Sequence, residues 1–162
     1  MSVVATESPD LSFLLQLASH VLATELTAGL ADLGISPRAH CVLSKALCGT
    51  LTQKELAERC DLDKTTMVVT MDELERDGLA ERRASAEDRR ARIISVTEAG
   101  RRKVEEGQRI VSRIHNDVLA ALPEQQREAF VEGLARLVEA GGRLSTPVQC
   151  ERPVRRRLPR GT

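Results

Sequence analysis

Residues Leu51 to Ser95 read LTQKELAERCDLDKTTMVVTMDELERDGLAERRASAEDRRARIIS, and this stretch decides the fold. Thr52 and Glu55 stand three apart in front of Leu56 and Ala57, the spacing of a capping box that satisfies two backbone N–H groups at a helix start. A helix is predicted over Gln53–Arg59. Cys60, Asp61 and Leu62 make a turn, and Asp63 is placed to accept from the N–H groups of Thr65 and Thr66 and so to begin a second helix. That helix continues to Asp77, where Gly78 supplies a left-handed residue. Met67, Met71 and Leu74 fall at i, i+4 and i+7 and face a core, whereas Lys64, Thr65, Val68, Val69 and Asp72 lie on the opposite face.

After Gly78 the period changes from helical to extended. Leu79–Arg83 and Arg92–Val96 pair as two strands around ASAEDRRA, a loop too polar to bury. Five arginines, Arg82, Arg83, Arg89, Arg90 and Arg92, face Glu81, Glu87 and Asp88 along this hairpin. A guanidinium at its tip suits a narrow minor groove, where negative potential is concentrated. Asp88 beside Arg89 and Arg90 would hold one of them extended through a charge-assisted pair. Helix, turn, helix and charged hairpin together form a winged helix-turn-helix, which presents one helix to the major groove of duplex DNA. The fold class is mainly α with a small β-hairpin wing.

The runs TQKELAERCDLDKTT, LERDGLAERR and DRRARIISVTEAG resemble the MarR family of bacterial transcription regulators, whose wing signature is D-R-R followed by T-x-x-G at the start of a long helix. The resemblance extends over about Leu11 to Gly141. It implies a homodimeric repressor, in some members an activator, released from a pseudo-palindromic operator by a small molecule, often a phenolic acid, or by thiol oxidation. Carried over by position, Thr65 and Thr66 match the start of the recognition helix, and Asp88 and Arg90 match the wing. The DNA-contacting set is therefore Lys64, Thr65, Thr66, Val68, Val69, Asp88, Arg89, Arg90 and Arg92. The family usually has a polar or basic pair where this chain has Val68 and Val69. The departure suggests contacts with thymine methyl groups and a preference for A·T-rich half-sites.

The 162-residue chain is long enough for one domain with its own core. With 41% hydrophobic and 30% charged residues it reads as a soluble globular protein. No apolar run reaches the length needed to span a bilayer, and MSVVATESPD lacks the basic and apolar regions of a signal peptide, so a cytoplasmic location is expected. The net charge is zero but uneven. Residues 79–103 hold eight Lys or Arg against four Asp or Glu, and residues 145–162 hold five Arg against one Glu, leaving the remainder acidic. Such a dipole presents a basic edge to phosphates. Aromatics are 1%, with neither Trp nor Tyr, so no stacking platform exists for single strands and duplex DNA is the better partner.

Flanking segments are helical. Asp10 caps a helix from Leu11 to about Leu33, stopped by Gly34, with Leu14, Ala18, Val21 and Leu22 on one face and Leu15, Leu26 and Leu30 beside it. Ser36 and Pro37 open another helix that stops before Gly49. Thr97 starts a long helix whose Val104, Gly107, Val111, Ile114, Val118 and Ala121 form a seam at spacings of three and four. The seam needs a partner helix, in a second subunit or in the same chain. Pro123 begins a last helix with Phe130, Leu134, Leu137 and Val138 on one face, ended by Gly141 and Gly142. The expected organisation is a flexible N-terminus (1–9), one domain (10–144) with the winged head at about 36–96 and dimerisation helices at about 11–33 and 97–141, and a basic disordered tail (145–162).

Catalytic signatures are missing: no G-x-S-x-G, phosphate-binding glycine loop or H-E-x-x-H occurs, so an enzyme is not expected. Neither is a cofactor or a metal site, since no C-x-x-C pair is present. Cys41 and Cys48 lie seven apart on one predicted helix, about 10.5 Å between Cα atoms, too far for a disulfide. Cys60 reads as a small core filler and Cys150 as exposed in the tail. If a thiol senses oxidation, Cys41 is the candidate, since Arg38 and His40 beside it offer positive charge. The family resemblance places an effector pocket where the dimer-facing helices approach the head, and Leu17, His20, His40 and Leu43 are candidate lining. A rival reading buries Val68 and Val69 in a protein partner, making the head an interaction module.

Overall fold

The computed structural model describes residues 10–85 and 91–144, with side chains through residue 140. Helix α1 (Leu11–Leu30) tightens into a 3-10 turn (Ala31–Leu33) and is followed by α2 (Pro37–Ala46), α3 (Gln53–Arg59), α4 (Lys64–Arg76), β1 (Ala80–Ala84), β2 (Arg92–Val96), α5 (Glu98–Leu119) and α6 (Glu124–Leu144). The fold is mainly α with a two-stranded antiparallel hairpin. Local chemistry explains where the elements start. Asp10 accepts from the N–H groups of Ser12 and Phe13, Ser36 from Ala39, Thr52 from Glu55, and Asp63 from Thr65 and Thr66. The capping box closes in both directions, since the Thr52 N–H donates to Glu55 Oε2 at 2.8 Å.

Three expectations shift. The first strand begins at Ala80 rather than Leu79, because the Leu79 N–H turns back to the Leu74 carbonyl at 2.8 Å and closes α4. Cys48 falls outside α2, which ends at Ala46. Gly141 and Gly142 do not end the last helix, which runs to Leu144, since glycine permits a left-handed stop without enforcing one. The N-terminus 1–9, the tail 145–162 with Cys150, and Asp88, Arg89 and Arg90 at the wing tip lie outside the described residues.

The head closes around Val42 and Leu43 of α2, Leu56 of α3, Met67, Met71 and Leu74 of α4, and Leu79, Ala80 and Ile94 at the base of the wing. The strands pair from Ala80↔Val96 to Ala84↔Arg92. The sequence reading missed a third participant in this sheet: the Ile94 N–H donates to the Leu51 carbonyl at 3.0 Å, and Thr52 bridges to Ile93. The residue that caps α3 thereby also anchors the wing.

The T-x-x-G element acquires a physical meaning here. Thr97 Oγ1 donates to the Gly78 carbonyl at 2.7 Å and accepts from the Gly100 N–H at 3.1 Å. The Thr97 N–H meets the Leu79 carbonyl at 3.1 Å. A Cβ on Gly100 would lie 2.1 Å from that same carbonyl oxygen, so only glycine lets α5 seat against the base of the wing.

The seam of α5 finds its partner within the chain. α5 packs on α1 and α2, burying Val104, Gly107 and Ile114, while Val118 stays exposed and Ala121 lies beyond the helix end. Two glycines make the crossings close. A Cβ on Gly29 of α1 would meet Ile114 Cδ1 at 2.5 Å, and one on Gly107 would meet the His40 ring at 2.4 Å. This seam therefore does not call for a second subunit. The exposed surface of α1 makes a different demand, since Leu11, Phe13, Leu14, Leu15, Leu17 and Val21 are all exposed and only Leu30 is fully buried. The expectation that no stretch reaches bilayer length needs correction. Leu11–Leu33, with a mean hydropathy of 1.2, is long and apolar enough by length and composition, although polar residues interrupt it. In physical terms it is a helix with apolar side chains on more than the one face that α5 covers.

The chain divides after Leu119 into two compact units. In the second, Arg127 donates to the carbonyls of Leu122 and Ala120 and fixes the turn that begins α6. Phe130, Leu137 and Val138 of α6 are exposed.

Candidate nucleic-acid interface

Helix α4 follows a turn that ends at Asp63. The Asp63 carboxylate accepts from the Thr65 and Thr66 N–H groups at 2.9 Å each, and from the Thr66 hydroxyl. These bonds, the Thr66 hydroxyl first, hold the Asp63 carboxyl below the usual carboxylate range. Met67, Thr70, Met71 and Leu74 are buried. Thr70 is a polar residue that sequence periodicity did not assign to the core; its hydroxyl is satisfied by the Thr66 carbonyl at 2.8 Å. Outward stand Lys64, Thr65, Val68, Val69 and Asp72, all exposed. Thr66, half-buried with its hydroxyl engaged in the cap, belongs to the frame of the helix as much as to its outer face.

Arg82 was grouped by sequence with the arginines of the wing, but the structure gives it another place. Its side chain is only 20% exposed and reaches back across α4 and α3. The guanidinium donates to Glu75, to Asp72 Oδ1 at 2.7 Å, to Gln53 Oε1 at 2.9 Å and to the Val68 carbonyl at 3.2 Å. Its own backbone N–H donates to Glu75 Oε1 at 2.7 Å. One residue thus ties three elements together and answers the negative charge of Asp72 beside the outer face of α4. The planar fork of arginine suits this task, since several acceptors lie in different directions around it. No sequence signal distinguished Arg82 from Arg83, which pairs instead with Glu81 on the exposed face at 3.0 Å.

Beside α4 an open cleft of about 900 Å³ separates α3, the start of α4 and the wing. Lys54, Lys64 and Arg92 all line it, the first two on the starts of adjacent helices and the third at the start of β2. Lys54, a cation the sequence reading did not single out, has a side chain 87% exposed. It pairs with Glu58, 3.9 Å away. Cationic groups therefore flank the α4 face on the side toward the wing. Exposed ammonium and guanidinium groups beside a protruding helix are what phosphate contacts require.

The four candidate effector residues are split by the structure. Leu17 and His20 are exposed on α1, whereas His40 and Leu43 are buried on α2. His40 packs against Gly107, with Nε2 3.3 Å from the Val104 carbonyl, so that nitrogen acts as the donor. It points into the core and not toward Cys41. His115 is exposed on α5. Among the described residues no group of three His, Cys, Asp or Glu side chains is arranged to hold a metal ion. Cys41 is exposed, and Cys60 is half-buried against the core.

Comparison with known proteins follows the same lines. A model of the MarR family matches residues 33–91, the span from the end of the 3-10 turn to the residue before β2. A probable transcriptional regulator from Pseudomonas aeruginosa is 28% identical with a TM-score of 0.74, over 80% of this chain and 97% of that one. CouR from Rhodococcus jostii, bound to p-coumaroyl-CoA, is 25% identical with a TM-score of 0.74, over 83% and 94%. The repressor CouR bound to a 23-mer DNA duplex aligns at 25% identity and a TM-score of 0.76, over 85% and 99%. With its capped α4, arginine-bearing wing and T-x-x-G junction, the chain has a segment that matches the MarR family model and a fold similar to that of MarR-type winged-helix transcription regulators.

Proposed function

We propose that the protein is a homodimeric, sequence-specific repressor that binds a pseudo-palindromic duplex operator and is released by a small phenolic-type effector. The observation that carries this reading is the outer face of α4, where Lys64, Thr65, Val68 and Val69 stand exposed beside the cations of the cleft. In each subunit these residues, with Thr66, meet a major groove, and Asp88, Arg89, Arg90 and Arg92 meet the adjoining minor groove. Half-sites then lie about 10 to 10.5 bp apart or a multiple of that. The apolar exposed side of α1 supports the dimer, because a row of leucines in water gains by burial against a second copy. The DNA complex and the acyl-CoA complex of CouR support an effector-released repressor. Effector binding against α1, beside the exposed Leu17 and His20, would change the spacing of the two heads, shifting the population between two dimer shapes. A regulator of this kind works in the cytoplasm. The domain organisation we favour is one functional unit over residues 10–144, with residues 145–162 adding phosphate contacts of no sequence specificity.

A fluorescence-anisotropy titration against duplex DNA from the upstream region of the protein's own gene, at two salt concentrations, tests this. Salt-dependent saturation with two protomers per site is expected, and p-coumaroyl-CoA and free phenolic acids are then screened for release. Binding only at nonspecific strength, repeated in a genome-wide DNA selection, would overturn the reading and direct attention to Val68 and Val69 as a protein-docking pair.

A further inference from the structure

The outer face of α4 offers few polar groups that a base edge could use. Thr66 donates its hydroxyl to the Asp63 cap, and the buried Thr70 donates to the Thr66 carbonyl at 2.8 Å. Asp72 accepts from the Arg82 guanidinium at 2.7 Å, so its charge is met within the chain. Thr65, Val68, Val69 and Asp72 fall at i, i+3, i+4 and i+7, one exposed stripe with Lys64 at its start. Val68 is 36% and Val69 49% exposed, and neither belongs to the core that buries Met67 and Met71 of the same helix. Arg82 also donates to the Val68 carbonyl at 3.2 Å and so fixes the backbone that bears the pair. Glu73 is exposed one turn beyond Val69, away from the helix start that leads into a groove. Charge decides what covers the two valines. Lys64 stands on their own face, and Lys54 and Arg92 line the cleft alongside; of the carboxylates there, Glu55 is engaged in the α3 cap and Glu58 pairs with Lys54. A polyanion that carries apolar groups between its phosphates answers both features. The major groove of a duplex is such a surface, and the methyl group it presents is the C5-methyl of thymine.

We propose that Val68 and Val69 read the C5-methyl groups of pyrimidines in the major groove, so that 5-methylcytosine serves in place of thymine at the contacted positions. The inference rests on the DNA-binding reading and adds what the face distinguishes. An isopropyl group neither donates nor accepts a hydrogen bond, so it is indifferent to the donor and acceptor pattern that separates thymine from cytosine. Against a methyl group both apolar surfaces leave water; against the bare C5–H of cytosine or uracil a gap remains. 5-Methylcytosine carries the same methyl at the same ring position as thymine. Valine in a helix is held to one χ1 rotamer, so little side-chain freedom is lost on contact. The two side chains diverge by about 100° around the helix axis, which directs them to different base steps. Selection is then by the presence of a methyl group at fixed positions and not by A·T content as such.

The test uses the full chain and an operator duplex recovered by selection from a genomic library. Each thymine of a half-site is replaced singly by deoxyuridine, which removes the methyl and keeps every hydrogen-bonding group, and affinity is read by fluorescence anisotropy. At one or two positions per half-site the replacement should weaken binding about three- to fivefold, the worth of one buried methyl group. At those positions 5-methylcytosine, paired with guanine, should bind about threefold tighter than cytosine. In Val68→Ala and Val69→Ala, both changes at exposed positions, the deoxyuridine penalty should vanish at the step that each valine covers. Specific binding with no deoxyuridine penalty at any thymine, or a penalty that both variants retain in full, overturns the proposal. A penalty at thymine without the gain at 5-methylcytosine overturns the equivalence of the two bases and leaves thymine alone as the group read. If selection recovers no operator, the repressor reading itself fails and the methyl readout falls with it.

Discussion

The winged head and the first helix handle their surfaces in opposite ways. Among the described residues of the head, key polar groups are answered inside the chain: Thr52 and Glu55 cap one another, Asp63 caps α4, Arg82 gathers Glu75, Asp72 and Gln53, and Thr97 clasps Gly78 and Gly100. Helix α1 has one such cap, at Asp10, and beyond it a series of exposed leucines. The head is specified by hydrogen bonds, the caps between sequence neighbours and the Arg82 and Thr97 bonds between elements. The first helix is specified by apolar area, and one copy of the chain covers only the part that faces α5. One region is closed within the chain, and the other leaves apolar side chains that the chain itself does not cover.

The contrast can be broken most severely at the junction of the two regions. Gly100→Ala places a methyl group against the Leu79 carbonyl, where no flexible side chain can yield. It should cost about 3 kcal/mol or more in urea unfolding, because overpacking against backbone cannot relax cheaply. A loss under 1 kcal/mol would show that α5 has another way to seat. Next comes the pair Leu14→Glu and Val21→Glu on α1. If α1 is the proposed dimer surface, two carboxylates buried there should raise the dimer dissociation constant about 100-fold, or about 2.7 kcal/mol, by sedimentation, with the helical signal of the head retained. An unchanged dimer would assign the interface elsewhere.

Within the head, Arg82→Ala should cost about 2 kcal/mol by leaving Glu75 without its cation, whereas Arg83→Ala, on the exposed face, should cost close to nothing. Equal effects would remove the distinction between the framework arginine and the surface one. The smallest effect belongs to the caps. Thr52→Ala should lose about 1 kcal/mol. The head should also be sensitive to acid. The Thr52 N–H and hydroxyl hold the Glu55 carboxyl down, and Thr66 and Thr65 do the same for Asp63. A carboxyl lowered in the folded state adds stability that is complete above its ordinary value, 4.5 for Glu55 and 3.8 for Asp63, and is lost as pH falls through the lower folded value. Asp63→Asn should flatten the acid limb of the stability curve while leaving its neutral portion nearly unchanged; an identical acid limb would exclude the cap as its source.

What could be read from the residues follows the same division. Caps, turn and glycine stops are local, so α3 and α4 emerged within a residue of their observed ends, and the core side of α4 followed from period alone. Long-range pairings were not legible. Nothing at Arg82 announces that it turns back to Gln53, 29 positions earlier, and nothing at Leu51 announces a bond to Ile94. The seam of α5 was read correctly as a seam, but periodicity does not say whose helix fills it, and α1 and α2 of the same chain do. Among the outer residues of the candidate interface, exposure on α4 was legible from the helical period, whereas the cleft with Lys54 depends on how three elements meet.

The clasp at Thr97 has a mechanical corollary. Because α5 starts where the hairpin is rooted, with Gly100 pressed on the Leu79 carbonyl, its first turn cannot slide or rotate without carrying the hairpin root along. The long helix is in effect a crank shaft keyed to the wing, converting a few degrees of tilt applied along its length into a sideways throw at the other end.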